Sequence, residues 1–330
     1  TFMHSVLSTL VIAVVFTLVG TIFTKPLAVL LGAEGIYVEM VCDYLFWYTA
    51  FTVPSALSAT LQGFGRNDKA PVFVMVSTIV STALNIFLDW LFVFPLKKGI
   101  AGAALATGIS QVVGLAIILI HFLRKRGHLH FAKFRFDGKL IGKVLKRGSP
   151  EMLSQLATPI MIFCMNHAIL RFLGNDGINA YSVISYIVSF AFALFIGVSE
   201  GMQPLFGQSY GDKNAEDLKY YEKLGMIISV VGSVVVYVPI IFTGSLICKM
   251  FGADSNAAEI AVQAIPQYCW AFIFASLNTI LSTYLYSTKR TKESVLLNIL
   301  RGIIFTPFCI VGLSLLTKGA IIWYTVGIAE

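Results

Sequence analysis

Charged residues are scarce in this chain. Asp, Glu, Lys and Arg make up 12% of its 330 residues, whereas a soluble domain carries about 25%. Hydrophobic residues make up 57%, and apolar runs of roughly 20 residues, long enough to cross a bilayer as a helix, recur from end to end. The composition excludes an ordinary soluble domain and predicts an all-α, polytopic membrane protein.

The residue patterns of several other protein classes are also missing. The five cysteines include no CxxC pair and lie in or at the ends of apolar runs, so neither a disulfide framework nor a metal site is indicated. No nucleophile–base pair or metal cluster stands out at membrane depth, which argues against an enzyme. The net charge of +7 is concentrated in a few loops rather than along one face, so no nucleic-acid partner is expected.

The basic residues instead predict a topology. Seventeen Lys and Arg residues fall in the loops 66–69, 124–147, 212–223 and 289–292, whereas six fall in the loops of the opposite set. The positive-inside rule places the richer set in the cytoplasm, for a multi-pass protein of the plasma (cell inner) membrane. This alternation fits ten apolar segments, at about 5–24, 37–63, 71–95, 99–123, 148–172, 178–207, 224–248, 258–286, 294–316 and from 318 to the end.

Weak internal repeats predict two lobes. IFTKPLAVLLGAEGIYVEM (22–40) resembles IFTGSLICKMFGADSNAAEI (241–260), LSATLQGFGRN (57–67) resembles LSTYLYSTKRT (281–291), and LNI (84–86) recurs at 297–299. The shared order predicts an N-lobe over 1–124, a basic cytoplasmic linker over 125–147 that lies on lipid headgroups, and a C-lobe over 148–330. The spans 148–172 and 178–207 have no counterpart in the first half, and the counterpart of 99–123 would run past residue 330. We therefore expect two pseudo-repeated six-helix lobes with about ten of twelve helices present, the first two helices and the end of the last being absent from these residues.

An acidic residue within an apolar span marks a candidate site. Asp89 lies about eight residues before Lys97, roughly 12 Å into the membrane, where an acid is costly unless it is paired. Asn85 precedes it by one helical turn on the same face. The next span brings small residues and Thr107, so that oxygen atoms suited to a small hard cation come together. The alternative is a structural hydrogen bond that fastens the two helices.

Three stretches resemble the multidrug and toxic compound extrusion (MATE) family. They are LNIFLDWLFVF…KGIAGAALAT (84–107), GVSEGMQPLFGQSYG (197–211) and the Gly148-Ser-Pro150 start of a helix. The resemblance implies a cation site formed by Asn85, Asp89, the carbonyl of Ala103 and Thr107, together with an Asp from a first helix that these residues do not include. It also implies that the only metal is a possible Na⁺ at Asp89.

The resemblance further implies a monomeric secondary antiporter, without enzymatic activity or a cofactor. It would export amphipathic, often cationic small molecules such as drugs and toxins in exchange for Na⁺ or H⁺. Polar residues of the C-lobe are candidates for coupling or for the substrate cavity: Glu200, Gln155, Asn166, His167 and Asn278. Since the predicted spans 148–172 and 258–286, the seventh and tenth of the twelve expected helices, offer no carboxylate in mid-membrane, we expect ion coupling to rest on the N-lobe.

The alternative function is a lipid-linked oligosaccharide flippase of the same superfamily. Such a protein needs several Arg or Lys residues in its cavity to bind pyrophosphate. Arg301 is the only basic residue well inside a predicted span, which counts against this alternative.

Overall fold

The computed structural model describes residues 2–30, 33, 35, 37–124, 127–132, 135–252 and 254–330. Within these ranges the regular structure is helical and no strand occurs. The chain divides into two compact units, Thr1–Leu145 and Lys146–Glu330. The predicted all-α class is therefore confirmed, and helices suit a membrane because they satisfy their own backbone hydrogen bonds.

The first unit is built around neighbouring helices that pack on one another. Pro71 begins α5, where its missing N–H leaves no hydrogen bond unmade. Gly99 begins α6 with a φ of +57°, which a residue without a Cβ adopts easily. The helices described here are α1 (Phe2–Ile22), α2 (Thr24–Leu30), α3 (Tyr37–Ala50), α4 (Thr52–Asn67), α5 (Pro71–Val93) and α6 (Gly99–Leu123). Their buried core contains Phe2, Leu61, Val74, Ile118 and Phe122.

The predicted span 37–63 is broken at Phe51, between α3 and α4. Pro54 has no N–H to offer the carbonyl of Ala50, the last residue of α3, and its ring crowds that carbonyl. The Phe51 ring fills the space that a Cβ on Gly108 of α6 would occupy. One predicted span is therefore two short helices whose junction is held against α6.

The remaining helices include one long element with an internal break. α7 (Gly138–Gly211) contains Gly174 in a non-helical conformation, with φ +66° and ψ −157°, between the predicted spans 148–172 and 178–207. It begins at Gly138, inside the predicted linker 125–147. The elements that follow are α8 (Ala215–Met250), α9 (Ser255–Cys269), α10 (Ala271–Ser287), α11 (Thr291–Leu316), a 3₁₀ turn (Ile322–Tyr324) and α12 (Thr325–Ala329).

Six of the described helices are long and apolar enough to cross a membrane: α1, α5, α6, α7, α8 and α11. The pair α9 and α10, bent by 42°, makes a seventh span if it is counted as one. The ten predicted segments exceed these seven spans for two reasons. α7 unites two of the segments, and the segments at 37–63 and after 318 are divided into short helices. Large apolar side chains such as Phe16 (64% exposed) and Phe242 (81% exposed) lie on the surface, as lipid contact requires. The chain is a multi-pass membrane protein.

Candidate functional site

The interface between α5 and α6 positions the residues that the sequence predicts. Ser77 Oγ donates to the carbonyl of Gly114 at 2.7 Å, and the absence of a side chain on Gly114 admits Ser81 of the facing helix. Asn85 lies about two turns beyond Ser77 on α5, and its side chain hydrogen-bonds to Thr107 of α6. Small residues therefore bring the two backbones close and align the polar groups between them.

Asn85, Thr107 and Ala103, three of the four candidate residues, form a continuous set of hydrogen bonds. Asn85 Nδ2 donates to Thr107 Oγ1 at 3.3 Å, and Thr107 Oγ1 donates to the carbonyl of Ala103 at 3.1 Å. The amide oxygen of Asn85 takes no part in these bonds. Three oxygen atoms from two helices are thus gathered within one turn of each helix.

Asp89 lies one turn along α5 from Asn85, with its side chain half-buried. Its Oδ1 atom is buried and has no hydrogen-bond partner among the described residues. Tyr44 of α3 lies near this carboxylate. A buried carboxylate oxygen without a partner is costly, so the alternative that Oδ1 serves to fasten α5 to α6 is not supported.

The donor set has the chemistry of a site for a small hard cation. It offers the Asp89 carboxylate, the Asn85 amide oxygen, the Thr107 hydroxyl and the Ala103 carbonyl, all of which are oxygen ligands. No three His, Cys, Asp or Glu side chains of the described ranges come together as they would around a metal ion.

The polar candidates of the second unit make different contacts. Gln155 Nε2 donates to Glu151 Oε1 at 3.0 Å, and both side chains are exposed. The exposed His167 ring stacks on Phe163 with 6.5 Å between ring centroids. Asn166 and Glu200 are half-buried on α7. Asn278 Nδ2 donates to Glu330 Oε2 at 3.0 Å. The role of these five residues in ion coupling or in the substrate cavity stays a prediction.

Glu330 is a polar residue that the sequence analysis missed. Its Oε2 lies 3.2 Å from Arg301 NH1, and the exposed fractions of the two side chains are 8% and 11%. Glu330 lies directly after α12, outside the predicted spans 148–172 and 258–286 that lack a carboxylate in mid-membrane. Arg301, a lone basic residue inside a span, was the signal that a buried acid lay close by.

Comparison with known proteins identifies the family. The MatE family model matches residues 1–91 and 150–311 of the chain. The multidrug export protein MepA of Staphylococcus saprophyticus is 26% identical over 324 residues, which cover 97% of this chain and 71% of that protein. MepA of Staphylococcus aureus strain MRSA252 is 22% identical over 324 residues, which again cover 97% of this chain and 71% of that protein.

Solved structures share the fold. A MOP superfamily transporter from Pyrococcus furiosus superposes with a TM-score of 0.91 at 20% identity, over 99% of this chain and 74% of that chain. An outward-facing multidrug resistance MATE family transporter superposes with a TM-score of 0.87 at 20% identity, over 99% and 76% of the two chains. With the family model matching more than half of its residues, the chain belongs to the MatE family of membrane transporters.

Proposed function

We propose that this protein is a secondary antiporter of the plasma membrane, which exports amphipathic, often cationic small molecules in exchange for Na⁺ or H⁺. The observation that carries the proposal is the buried Oδ1 of Asp89, which has no hydrogen-bond partner in the described part of the chain and lies one turn from Asn85 of the Asn85–Thr107–Ala103 set. The relatives described as multidrug export proteins support the substrate class. The proposed transporter works as a monomer, has no enzymatic activity and needs no cofactor beyond its coupling ion.

In this mechanism the coupling ion neutralises Asp89. A Na⁺ ion would take the carboxylate oxygens together with the oxygens of Asn85, Thr107 and Ala103, whereas a proton would bind the carboxylate alone. Either ion removes the penalty of a charge that lies roughly 12 Å deep in an apolar span. Because the ligands come from both α5 and α6, ion binding changes how tightly the two helices hold together. That change in packing is the proposed link between ion entry and substrate export.

The flippase alternative is less well supported. Pyrophosphate recognition needs several basic side chains acting together. Within the described spans Arg301 is the one basic residue that lies well inside a predicted span, so no group of basic side chains comes together there. The antiporter is therefore the function that we put forward.

The direct test uses the full-length protein in sealed liposomes with ethidium, an organic cation, at equal concentration inside and outside. An inward-directed Na⁺ or H⁺ gradient is imposed in separate experiments, and ethidium movement is followed by its fluorescence. We expect one of the gradients to drive ethidium out against its concentration difference. Ethidium that only equilibrates under both gradients would contradict the antiporter assignment.

A further inference from the structure

Three polar residues form a cluster in the second unit that the proposed ion site does not use. Arg301 of α11 and Glu330 approach to 3.2 Å through NH1 and Oε2. Asn278 of α10 donates from Nδ2 to Glu330 Oε2 at 3.0 Å and to the Glu330 carbonyl at 2.7 Å. Glu330 is therefore held by Asn278 independently of Arg301.

The cluster lies deep in the membrane. Arg301 is ten residues into α11, counted from Thr291 at the predicted cytoplasmic end. At 1.5 Å per residue this is about 15 Å, half of a hydrocarbon core about 30 Å thick. A charged pair at this depth is expensive to maintain, and such residues commonly mark a ligand pathway.

The helix is distorted where it carries Arg301. Residues Ile299–Phe305 form a π-helical stretch, in which the Thr306 N–H donates to the carbonyl of Arg301. Thr306 Oγ1 also donates to this carbonyl, at 2.7 Å. Gly302 abuts Ala157 of α7 so closely that a Cβ on Gly302 would overlap it. Since π-helical turns are less stable than α-helical ones and recur at functional sites, this distortion is a second sign of a site.

Arg301 has more hydrogen-bonding capacity than its neighbours use. Its Nε and NH1 atoms are buried and have no hydrogen-bond partner within the described ranges, so Glu330 provides opposite charge without a hydrogen bond. The guanidinium fork matches a carboxylate through two parallel N–H···O bonds. Buried donors of this kind are suited to a further anionic oxygen group.

In the internal repeat, Arg301 of the second unit lies at nearly the same position as Asp89 of the first unit, and the two side chains have opposite charge. LNI occurs at 84–86 and at 297–299, so Asn85 corresponds to Asn298. Asp89 follows Asn85 by four residues, whereas Arg301 follows Asn298 by three. At corresponding turns of the repeat, one unit carries a buried anion and the other a buried cation.

We propose that Arg301 binds the carboxylate of an exported ligand, with Glu330 and Asn278 as the groups beside it. Glu330 balances the guanidinium charge while the site is empty and stays anchored to Asn278 when the ligand carboxylate takes the Arg301 fork. The ligand class that fits this site is a cationic molecule that also carries a carboxylate. It builds on the proposed export function, but the site is tested by equilibrium binding, which does not require transport.

The test compares two dyes that differ only at one carboxyl group. Rhodamine 110 is the free acid and rhodamine 123 is its methyl ester, so the ratio of their dissociation constants isolates the carboxylate interaction. Binding to the full-length protein in nanodiscs is measured by fluorescence polarisation. We expect the wild type to favour the acid, Glu330→Gln to raise this preference about threefold to tenfold by removing the competing carboxylate, and Arg301→Gln/Glu330→Gln to abolish it.

Arg301→Lys is the matched control, because it keeps the charge and loses the planar fork. Its preference for the acid over the ester should fall between that of the wild type and that of Arg301→Gln/Glu330→Gln. An unchanged ratio in Arg301→Gln/Glu330→Gln would overturn the proposal, as would a wild type that binds neither dye or both equally. Should the double variant fail to fold, Glu330→Gln decides, and an unchanged or lower preference for the acid contradicts the site. Absence of gradient-driven export with the preference intact would refute the export function and leave this site standing.

Discussion

Thr107 is the residue through which α5 and α6 share polar contacts at the candidate site. Its hydroxyl accepts from Asn85 and donates to Ala103. Thr107→Val keeps the branched shape and removes the oxygen, so the concentration of driving ion at half-maximal export should rise about fivefold to tenfold, the effect of one lost neutral interaction. Thr107→Ser keeps the hydroxyl and should stay near the wild-type value. If the valine variant exports with wild-type ion dependence, Thr107 is not a ligand.

At the residue scale, sequence reasoning brings together residues that are neighbours along one helix. Asn85 and Asp89 are one turn apart on the same helix, and their common face follows from helical periodicity. Arg301 and Glu330 are joined only by the packing of α11 against α12, which neither local spacing nor hydropathy encodes. The sequence therefore predicts the members of the first cluster, whereas the second is found only once the helices are placed.

At the element scale, Gly108 allows α6 to fit against the break between α3 and α4. A Cβ at Gly108 would overlap the Phe51 ring, whereas nothing lies within 4 Å of a Cβ built at Gly63 of α4. We expect Gly108→Ala to destabilise the protein by about 1–3 kcal/mol through overpacking. The control Gly63→Ala should be neutral or stabilising by about 0.5–1 kcal/mol, since alanine favours the helix. Thermal melting of the purified protein measures both, and equal melting temperatures would contradict the packing argument.

A buried carboxylate ties a loop to the end of α6. Asp68 Oδ2 lies 2.9 Å from His121 Nε2, and Asp68 Oδ1 accepts from the N–H groups of His128 and Leu129 at 2.8 and 3.1 Å. The exposed fraction of the Asp68 side chain is 1%. One acid thus joins the end of α4, the end of α6 and the start of the predicted linker 125–147.

Removing this charge should loosen the loop. Asp68→Asn removes the negative charge that accepts these hydrogen bonds, and we expect a destabilisation of about 1.5–3 kcal/mol together with faster proteolysis at residues 127–132. Asp137→Asn alters an exposed acid of the same segment, which caps the Lys139 N–H, and should change the stability little. Similar protease sensitivity in the two variants would show that Asp68 does not fasten the loop.

The breaks within predicted spans show the limit of hydropathy at this scale. An apolar run indicates that a segment can lie in lipid, but it does not indicate where the helix within that segment is broken. Pro54 is a sequence signal for the break before α4, whereas Gly174 gains meaning only from its φ of +66° inside α7. The apolar pattern predicts the membrane class well and the number of continuous helices less well.

At the scale of the whole molecule, the basic loops predict which ends of the helices face the cytoplasm. Lys97 lies between α5 and α6, and Lys213 lies between α7 and α8; both are exposed and have positive φ. In a background without native cysteines, Lys97→Cys should react with a membrane-impermeant maleimide in intact cells, and Lys213→Cys should react only after lysis. The reverse pattern would invert the topology.

Asp89 carries the charge that the proposed coupling ion neutralises. Asp89→Asn keeps the shape of the side chain and removes this charge, and Asp43→Asn removes the charge of an exposed acid of α3. Gradient-driven ethidium export is measured in liposomes, per molecule of folded and inserted full-length protein. We expect Asp89→Asn to lose uphill export and Asp43→Asn to keep it. Export by Asp89→Asn against a concentration gradient at the wild-type rate would contradict the account.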